Sequence, residues 1–443
     1  MKPRIVLKFG GSVIADGRGF YSVAKYTIGL THKHKPLAVV SAPKGVTSVL
    51  TILHRQPNRK AIQNLGRHYA TILLTIRDKQ IRNEATTQIE DALRSLKNSM
   101  SYDRFVSQGE DHSGIILTHF MKSLGHESEY LDGYHAGIVT DSKGMIREEL
   151  SIINVRNNLK KYLDLDNKTI PVVGGFVGKD LDTTRYRLLG RNSTDVTGAV
   201  VAAATEAEYQ IVKDVSGIYF VEPEFRKSDV IPFLSYKEAG ELAWRGIEAV
   251  HPIAVRIAEN QKMAIRVKSL GDSPSTLISR RSMSTQKKPV VGISARRFHM
   301  LTVSDELMDT TEGRGYLSNV TRILSNCGID IYDVATSANV ISVTIRPQDR
   351  LIDNKSVETI LTDCLREHSY EPTVKGKRIG AISVVGEALK DNTEVICRLT
   401  DMFRKKGIKI HMMLKGNSLN LIFGINEEDL RPAVNLLYHE LAS

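Results

Sequence analysis

Short apolar runs alternate with helix-length amphipathic segments along the first 275 or so residues. RIVLKF, LAVVSAP, TIPVVGGFVG, YQIVKDV and AIRVKSL are rich in Val, Ile and Leu, and most end in Gly, Pro or Ser. Between them lie helical patterns such as DHSGIILTHFMKSLG, closed by Gly125, and STDVTGAVVAAATEA. Strands that are apolar on both sides, separated by helices, predict a parallel sheet covered on both faces. In such sheets ligands gather at the carboxyl ends of the strands.

From Ser279 to Pro289 the chain turns basic and serine-rich and loses apolar periodicity, which reads as a linker. A repeat follows. SNVTRILSNCGIDIYDV and RLTDMFRKKGIKIHMML are each an amphipathic helix closed by a glycine, Gly328 or Gly407, and then an alternating strand. Each continues with a second strand, NVISVTIR or NSLNLIFGIN, and a second helix, KSVETILTDCLREH or EEDLRPAVNLLYHELA. With the preceding strands HMLTVSD and IGAISVVG the order is strand-helix-strand-strand-helix twice, the build of a ferredoxin-like sandwich. The expected division is an α/β domain over residues 1–278, a linker over 279–289, and two small domains over 290–374 and 375–443.

A chain of 443 residues exceeds what one hydrophobic core supports, in keeping with that division. No apolar run approaches the roughly 18 residues needed to span a bilayer, so a cytoplasmic protein with no membrane partner is expected. Cys327, Cys364 and Cys397 are far apart and form no CxxC pair, which argues against a disulfide framework or a zinc site and reads as buried thiols. The net charge of +11 comes from scattered basic residues, and aromatics are only 6% of the chain, so a stacking surface for nucleic acid lacks its materials. Small anionic substrates remain.

The candidate chemistry lies beside the predicted strands. VLKFGGSVIAD places Lys8, Gly10, Gly11 and Ser12 after the first strand: glycines let main-chain amides approach a ligand, and a lysine supplies a point charge for phosphate. Four further stretches are expected at strand ends or helix starts. VVSAPKGVTSVL offers Ser41 and Thr47, FVSQGEDHSG offers Glu110, VVGGFVG offers Phe176, and LLGRNSTDVTGA offers Arg191, Thr194 and Asp195 at a helix N-terminus, where an anion is favoured. Taken singly, Thr194 reads equally as a helix cap and Glu110 as a solvated loop carboxylate.

In this order the stretches resemble the aspartokinases, of the amino-acid kinase fold with paired C-terminal ACT domains. KFGGS is similar to the family's KFGG(T/S), VVSAPKGVT to VVSAMxGVT, SQGE to S-x-GE, VVGGFVG to PVVTGFxG, GRNSTD to GRGGSD, KDVSGIYFVEPE to TDVDGVYTADPR, and the segment ending VHPIAV to one ending LHPxAV. The resemblance implies transfer of the γ-phosphoryl group of ATP, with Mg2+, to the β-carboxylate of L-aspartate, the entry step to lysine, threonine and methionine. Lys8 and the Gly10, Gly11 and Ser12 region would hold the phosphate, and Asp195 would orient Lys8. Ser41, Thr47, Glu110, Phe176, Arg191 and Thr194 would form the aspartate pocket, and Asp214, Tyr219 and Pro223 would meet the nucleotide. No protein metal ligands are implied. A lysine or threonine effector near Asp330, Asp333 and Ser337, and a homodimer or homotetramer through the ACT domains, are further expectations.

The sequence departs from the family pattern at Asn192 and Ser193, at Lys213 for a threonine, at Ser216 for an aspartate and at Glu224 for an arginine. Tyr332 and Ala338 replace acidic residues of the lysine-sensing pattern. A catalytically silent amino-acid sensor, or a kinase of another carboxylate, are the alternatives.

Overall fold

The computed structural model describes residues 2–96, 100–164, 166–190, 192–271, 274–280, 290–309, 314–352, 355–390, 393–415 and 419–442. Arg191 and residues 281–289 of the expected linker lie outside the described residues, whereas Ser279 belongs to a strand. The chain divides into two compact units, Met1–Ile218 with Val230–Ser284 and Tyr219–Asp229 with Thr285–Ser443.

The first unit begins β1 (Arg4–Phe9), α1 (Gly17–Gly29), β2 (Lys35–Val40), α2 (Val46–Arg55), α3 (Arg59–Leu73), α4 (Lys79–Ser95) and α5 (Tyr102–Ser123). It continues β3 (Ser128–Leu131), α6 (Gly133–Ala136), β4 (Val139–Thr140), α7 (Glu148–Leu163), β5 (Ile170–Gly174), β6 (Val177–Asp180), β7 (Tyr186–Leu188), α8 (Thr194–Thr205) and β8 (Glu208–Val212). It ends β9 (Phe233–Ser235), α9 (Tyr236–Trp244), α10 (Pro252–Asn260), β10 (Ile265–Lys268) and β11 (Thr276–Ser279). Eight strands form one sheet in the order β3-β5-β2-β1-β8-β10-β11-β9, parallel except where β11 meets β10. Five of six residues in β1 and in β2 are buried, as expected of strands with helices on both faces.

The parallel register decides where the chemistry collects. Phe9 pairs with Val40 and with Val212, and Val40 pairs with Gly174. Four strands therefore stop in line, and Gly10, Ser41, Lys213 and Gly175 follow side by side along an edge about 14 Å long at the usual strand spacing. Three further strands, in the order β4-β6-β7, form a separate small sheet. The run TIPVVGGFVG is thus two strands in two sheets. Phe176, at φ 69°, makes the corner between them, and an added Cβ on Gly175 would lie 2.3 Å from Thr194 Cγ2. Only glycine fits there.

The second unit contains β12 (Gly292–Ser304), α11 (Tyr316–Asn326), β13 (Asp333–Thr336), β14 (Val340–Ile345), β15 (Leu351–Ile352), β16 (Lys355–Ser356), α12 (Val357–Arg366), β17 (Thr373–Val385), α13 (Thr393–Lys405), β18 (Ile410–Leu414), β19 (Asn420–Asn426) and α14 (Leu430–Leu441). Its main sheet is antiparallel, in the order β13-β14-β12-β17-β19-β18. β12 and β17 pair over their full length, from Gly292 opposite Val385 to Ser304 opposite Thr373. The second half of β12 meets β14, and the second half of β17 meets β19. Each ferredoxin-like repeat therefore takes its last strand from the other. The expected boundary between 374 and 375 falls inside a continuous strand, and the start of β12 belongs to the second repeat. The Tyr219–Asp229 segment joins this unit through Ile293 N–H, which donates to Phe220 O at 2.7 Å, and through the Arg296 guanidinium against the Glu222 carboxylate. Cys327 and Cys364 are half-buried, but Cys397, expected inside, is exposed on α13. No helix among the described residues is long and apolar enough to cross a membrane.

Candidate active site

Lys8 lies in β1, buried, with Nζ 2.8 Å from Asp195 Oδ1. Asp195 sits in the first turn of α8, where the dipole favours its charge. Its Oδ2 accepts the main-chain N–H of His251 at 3.0 Å and faces Lys213 Nζ at 4.0 Å. Burial pushes the Asp195 carboxyl up, but Lys8 and then Lys213 outweigh it and hold it below the usual carboxylate range. Asp195 is thus a fixed anion. Tyr209 Oη, donating to Asp195 O at 2.8 Å, holds the start of the helix.

Of the two glycines that follow β1, Gly11 is required by close approach. An added Cβ on Gly11 would lie 2.3 Å from Ala42 O, so the turn after β1 presses on the turn after β2, and Lys44 N–H donates to Gly11 O at 3.0 Å. Gly45, at φ 86°, opens α2, which carries Thr47 in its first turn. No side chain caps α8. Ser193 Oγ donates instead to Gly190 O at 2.6 Å, which leaves the positive end of the helix to an anion.

Glu110 is neither at a strand end nor in a solvated loop. It lies in the interior of α5, which begins nine residues earlier than its apolar pattern implies, and the Gly109 beside it lets the helix approach Ala42. Glu110 Oε1 accepts Ala42 N–H at 3.0 Å, while Oε2 is buried without a hydrogen-bond partner. Burial, opposed by the Ala42 hydrogen bond, pushes this carboxyl up to about 8. A cation delivered to Oε2 would restore its charge.

The structure thus brings together Lys8, Gly10, Gly11, Asp195 and Lys213, sets Ser41 next to the Glu110 anchor at Ala42, and packs Thr194 on the corner that carries Phe176. Ser12 follows in the same turn. Asp214 is exposed beside Lys213, whereas Tyr219 and Pro223 belong to the other unit, Pro223 exposed and Tyr219 half-buried. Asp330 and Ser337 are exposed, but Asp333 is buried, its main-chain N–H donating to Thr344 Oγ1 at 3.0 Å. Among the described residues no group of three His, Cys, Asp or Glu side chains could hold a metal ion.

The sequence reading missed a buried polar frame behind the site. Asp111 accepts from Arg104 at 2.6 Å, Gln108 at 3.0 Å and Tyr130 Oη at 2.6 Å. Tyr130 also lies against Gly114 and under Gly174, so it ties the helix of Glu110 to the strand that ends before Phe176. Gly114 and Gly174 were the available signals, since each makes room for this ring.

A lysine, a fixed carboxylate and a free helix N-terminus at the aligned ends of a parallel sheet define a site for phosphate chemistry. Residues 3–269 match the model of the amino acid kinase family, and residues 382–441 match an ACT domain. The chain belongs to the amino acid kinase family. It is 25% identical, over an alignment 457 positions long, to aspartokinase 1, chloroplastic, of Arabidopsis thaliana, covering 98% of this chain and 79% of that protein. To aspartokinase 3 of Bacillus subtilis it is 26% identical over 466, covering 98% of each. Among solved structures it is similar to E. coli aspartokinase III in complex with aspartate and ADP, with a TM-score of 0.79, 23% identity and coverage of 99% of this chain and 100% of that one.

Proposed function

We propose that this protein is an ATP-dependent aspartate kinase, forming 4-phospho-L-aspartate from the β-carboxylate of L-aspartate in the first step toward lysine, threonine and methionine. The observation that carries the reading is the buried Lys8–Asp195 pair beside the unpartnered Glu110 Oε2. Aspartokinase relatives aligned over 98% of the chain support it.

The acceptor carboxylate is ionised near neutral pH, so no general base is needed. What the reaction requires is alignment of two anions and neutralisation of charge on the transferring group. Lys8 Nζ, aimed by Asp195, meets the γ-phosphoryl oxygens, and the turn after Gly10, whose own N–H donates to Val212 O at 3.1 Å, brings the Gly11 and Ser12 main-chain amides beside them. Glu110 Oε2 takes the substrate ammonium. Ser41, Thr47, Thr194 and Phe176 line the remainder, and Arg191 grips a substrate carboxylate. Asp214 is assigned to the nucleotide. Mg2+ bound with ATP would be held mainly by phosphate and water oxygens and would supply charge neutralisation at the phosphates. The second unit senses an amino-acid effector such as lysine or threonine, and a second copy of the chain associates through it in the cytoplasm.

The test is ADP release with L-aspartate, glutamate, acetylglutamate and carbamate in turn, with hydroxylamine present to trap any acyl phosphate. Aspartyl β-hydroxamate formed in step with ADP, with aspartate alone, is the expected result. ADP release with another acceptor, or none with any, contradicts the proposal.

A further inference from the structure

Lys213 departs from the family pattern, yet the structure puts it in the middle of the site. It is the first residue after β8, and its main-chain N–H donates to Lys268 O at 2.9 Å, which fixes where the side chain starts. The side chain turns inward over Gly10. A Cβ added to Gly10 would lie 3.8 Å from Lys213 Cγ and 3.9 Å from Lys8 Nζ, so both lysines border the same space at the end of β1. The Lys213 side chain is 17% exposed, and Nζ donates to Glu248 O at 2.6 Å.

Asp195 does not account for this second cation. Its Oδ1 is paired with Lys8 at 2.8 Å and its Oδ2 with the His251 N–H at 3.0 Å, whereas Lys213 stands 4.0 Å away, beyond hydrogen-bond reach. Two lysines border this one buried carboxylate, and the Glu248 and Asp214 carboxylates act on Lys213 only more weakly than Asp195, so the pair of cations is left to attract a further anion. Of the three Lys213 N–H groups, one is used by Glu248 O and one faces Asp195. The third is available to a ligand. Burial draws the ammonium below the usual lysine range, Asp195 draws it back, and Lys8 opposes it again, so an incoming phosphate would stabilise its charged form.

We propose that Lys213 is a second phosphate-binding cation of the transfer site, meeting phosphate oxygens of ATP from the β8 side while Lys8 meets them from β1. This rests on the kinase reading and adds a residue to it. A threonine, usual in the resembled pattern, could not supply that charge.

The test compares wild type with Lys213→Met, Lys213→Gln and Lys213→Arg, measuring Mg2+-dependent binding of ATP, ADP and AMP together with kcat. In Lys213→Met the affinity for AMP stays within about twofold and that for ATP falls about tenfold or more, while kcat falls on the order of 100-fold. Lys213→Arg, which keeps the charge, recovers most of the ATP affinity. Lys213→Gln, which keeps a donor for Glu248 O, behaves as Lys213→Met and carries the test if the methionine variant does not fold. Unchanged ATP affinity and kcat in the neutral variants overturns the proposal, as does an equal loss for all three nucleotides. If ATP binding depends on Lys213 while wild type forms no aspartyl hydroxamate, Lys213 keeps this role and the aspartate kinase reading alone falls.

Discussion

Two buried carboxylates, one in each unit, are held in opposite ways. In the second unit the buried Asp305 is satisfied by its own surroundings: Oδ1 accepts Leu307 N–H at 2.9 Å, and Oδ2 accepts Tyr316 Oη at 3.1 Å and Glu371 N–H at 2.9 Å. In the first unit Glu110 Oε2 has no partner, and Lys8 and Lys213 share one carboxylate. A closed set of partners holds a fold together, whereas an open set costs stability and is retained for a ligand.

The largest expected effect comes from removing the central cation. Lys8→Ala lowers kcat by about 1,000-fold or more while far-UV circular dichroism and the melting temperature of the second unit stay as in wild type. Next comes Gly11→Ala, whose methyl group would be driven into Ala42 O. The turn must shift, and a displacement of about 1 Å at the phosphate lowers kcat on the order of 100-fold.

Glu110→Gln raises the KM for aspartate by about 10- to 100-fold, the value of a charge-assisted hydrogen bond, and changes kcat less. Its pH dependence is sharper evidence. With the carboxyl pushed up to about 8, Glu110 is mostly protonated at pH 7 in the free enzyme, and an ammonium ligand binds the ionised form and expels that proton. Aspartate affinity therefore rises with pH, by up to about tenfold per unit, and levels off above about 8. In Glu110→Gln this rise is absent.

The smallest effect belongs to the closed set. Asp305→Ala leaves Tyr316 Oη and Glu371 N–H without their acceptor and destabilises the second unit by about 1–3 kcal/mol in urea unfolding. ATP affinity of the first unit is unaffected. An Asp305→Ala variant as inactive as Lys8→Ala would erase the contrast between the units.

What the sequence disclosed follows from which interactions are local. The phosphate turn was legible because lysine, glycines and strand end are contiguous in KFGGS, and α8 was legible because Asp195 stands in its own first turn. Glu110 was named but misplaced, since the polar stretch from Tyr102 to Gln108 hides a helix whose burial comes from partners far along the chain. Lys213 was read as a flaw in the pattern. Its meaning depends on Asp195, Glu248 and Gly10, which only the fold brings near. The shared strands of the second unit were hidden for a similar reason: Arg296 and Arg297 interrupt the apolar alternation of β12, and the charge of Arg296 is met by Glu222, more than seventy residues away. Asp333, expected near an effector, is buried beside Thr344, a partner across the β13–β14 pair that no local pattern announces.

In the proposed reaction an aspartate carboxylate oxygen attacks the terminal phosphorus of ATP within the Lys8 cradle. L-aspartate labelled with 18O in its β-carboxylate, turned over with ATP and Mg2+ and trapped with hydroxylamine, tests it directly through the isotopic composition of the released phosphate. Each released phosphate is expected to carry one 18O, at a rate that collapses in Lys8→Ala. Phosphate carrying only solvent and ATP oxygen, or an undiminished rate of label transfer in Lys8→Ala, would contradict it.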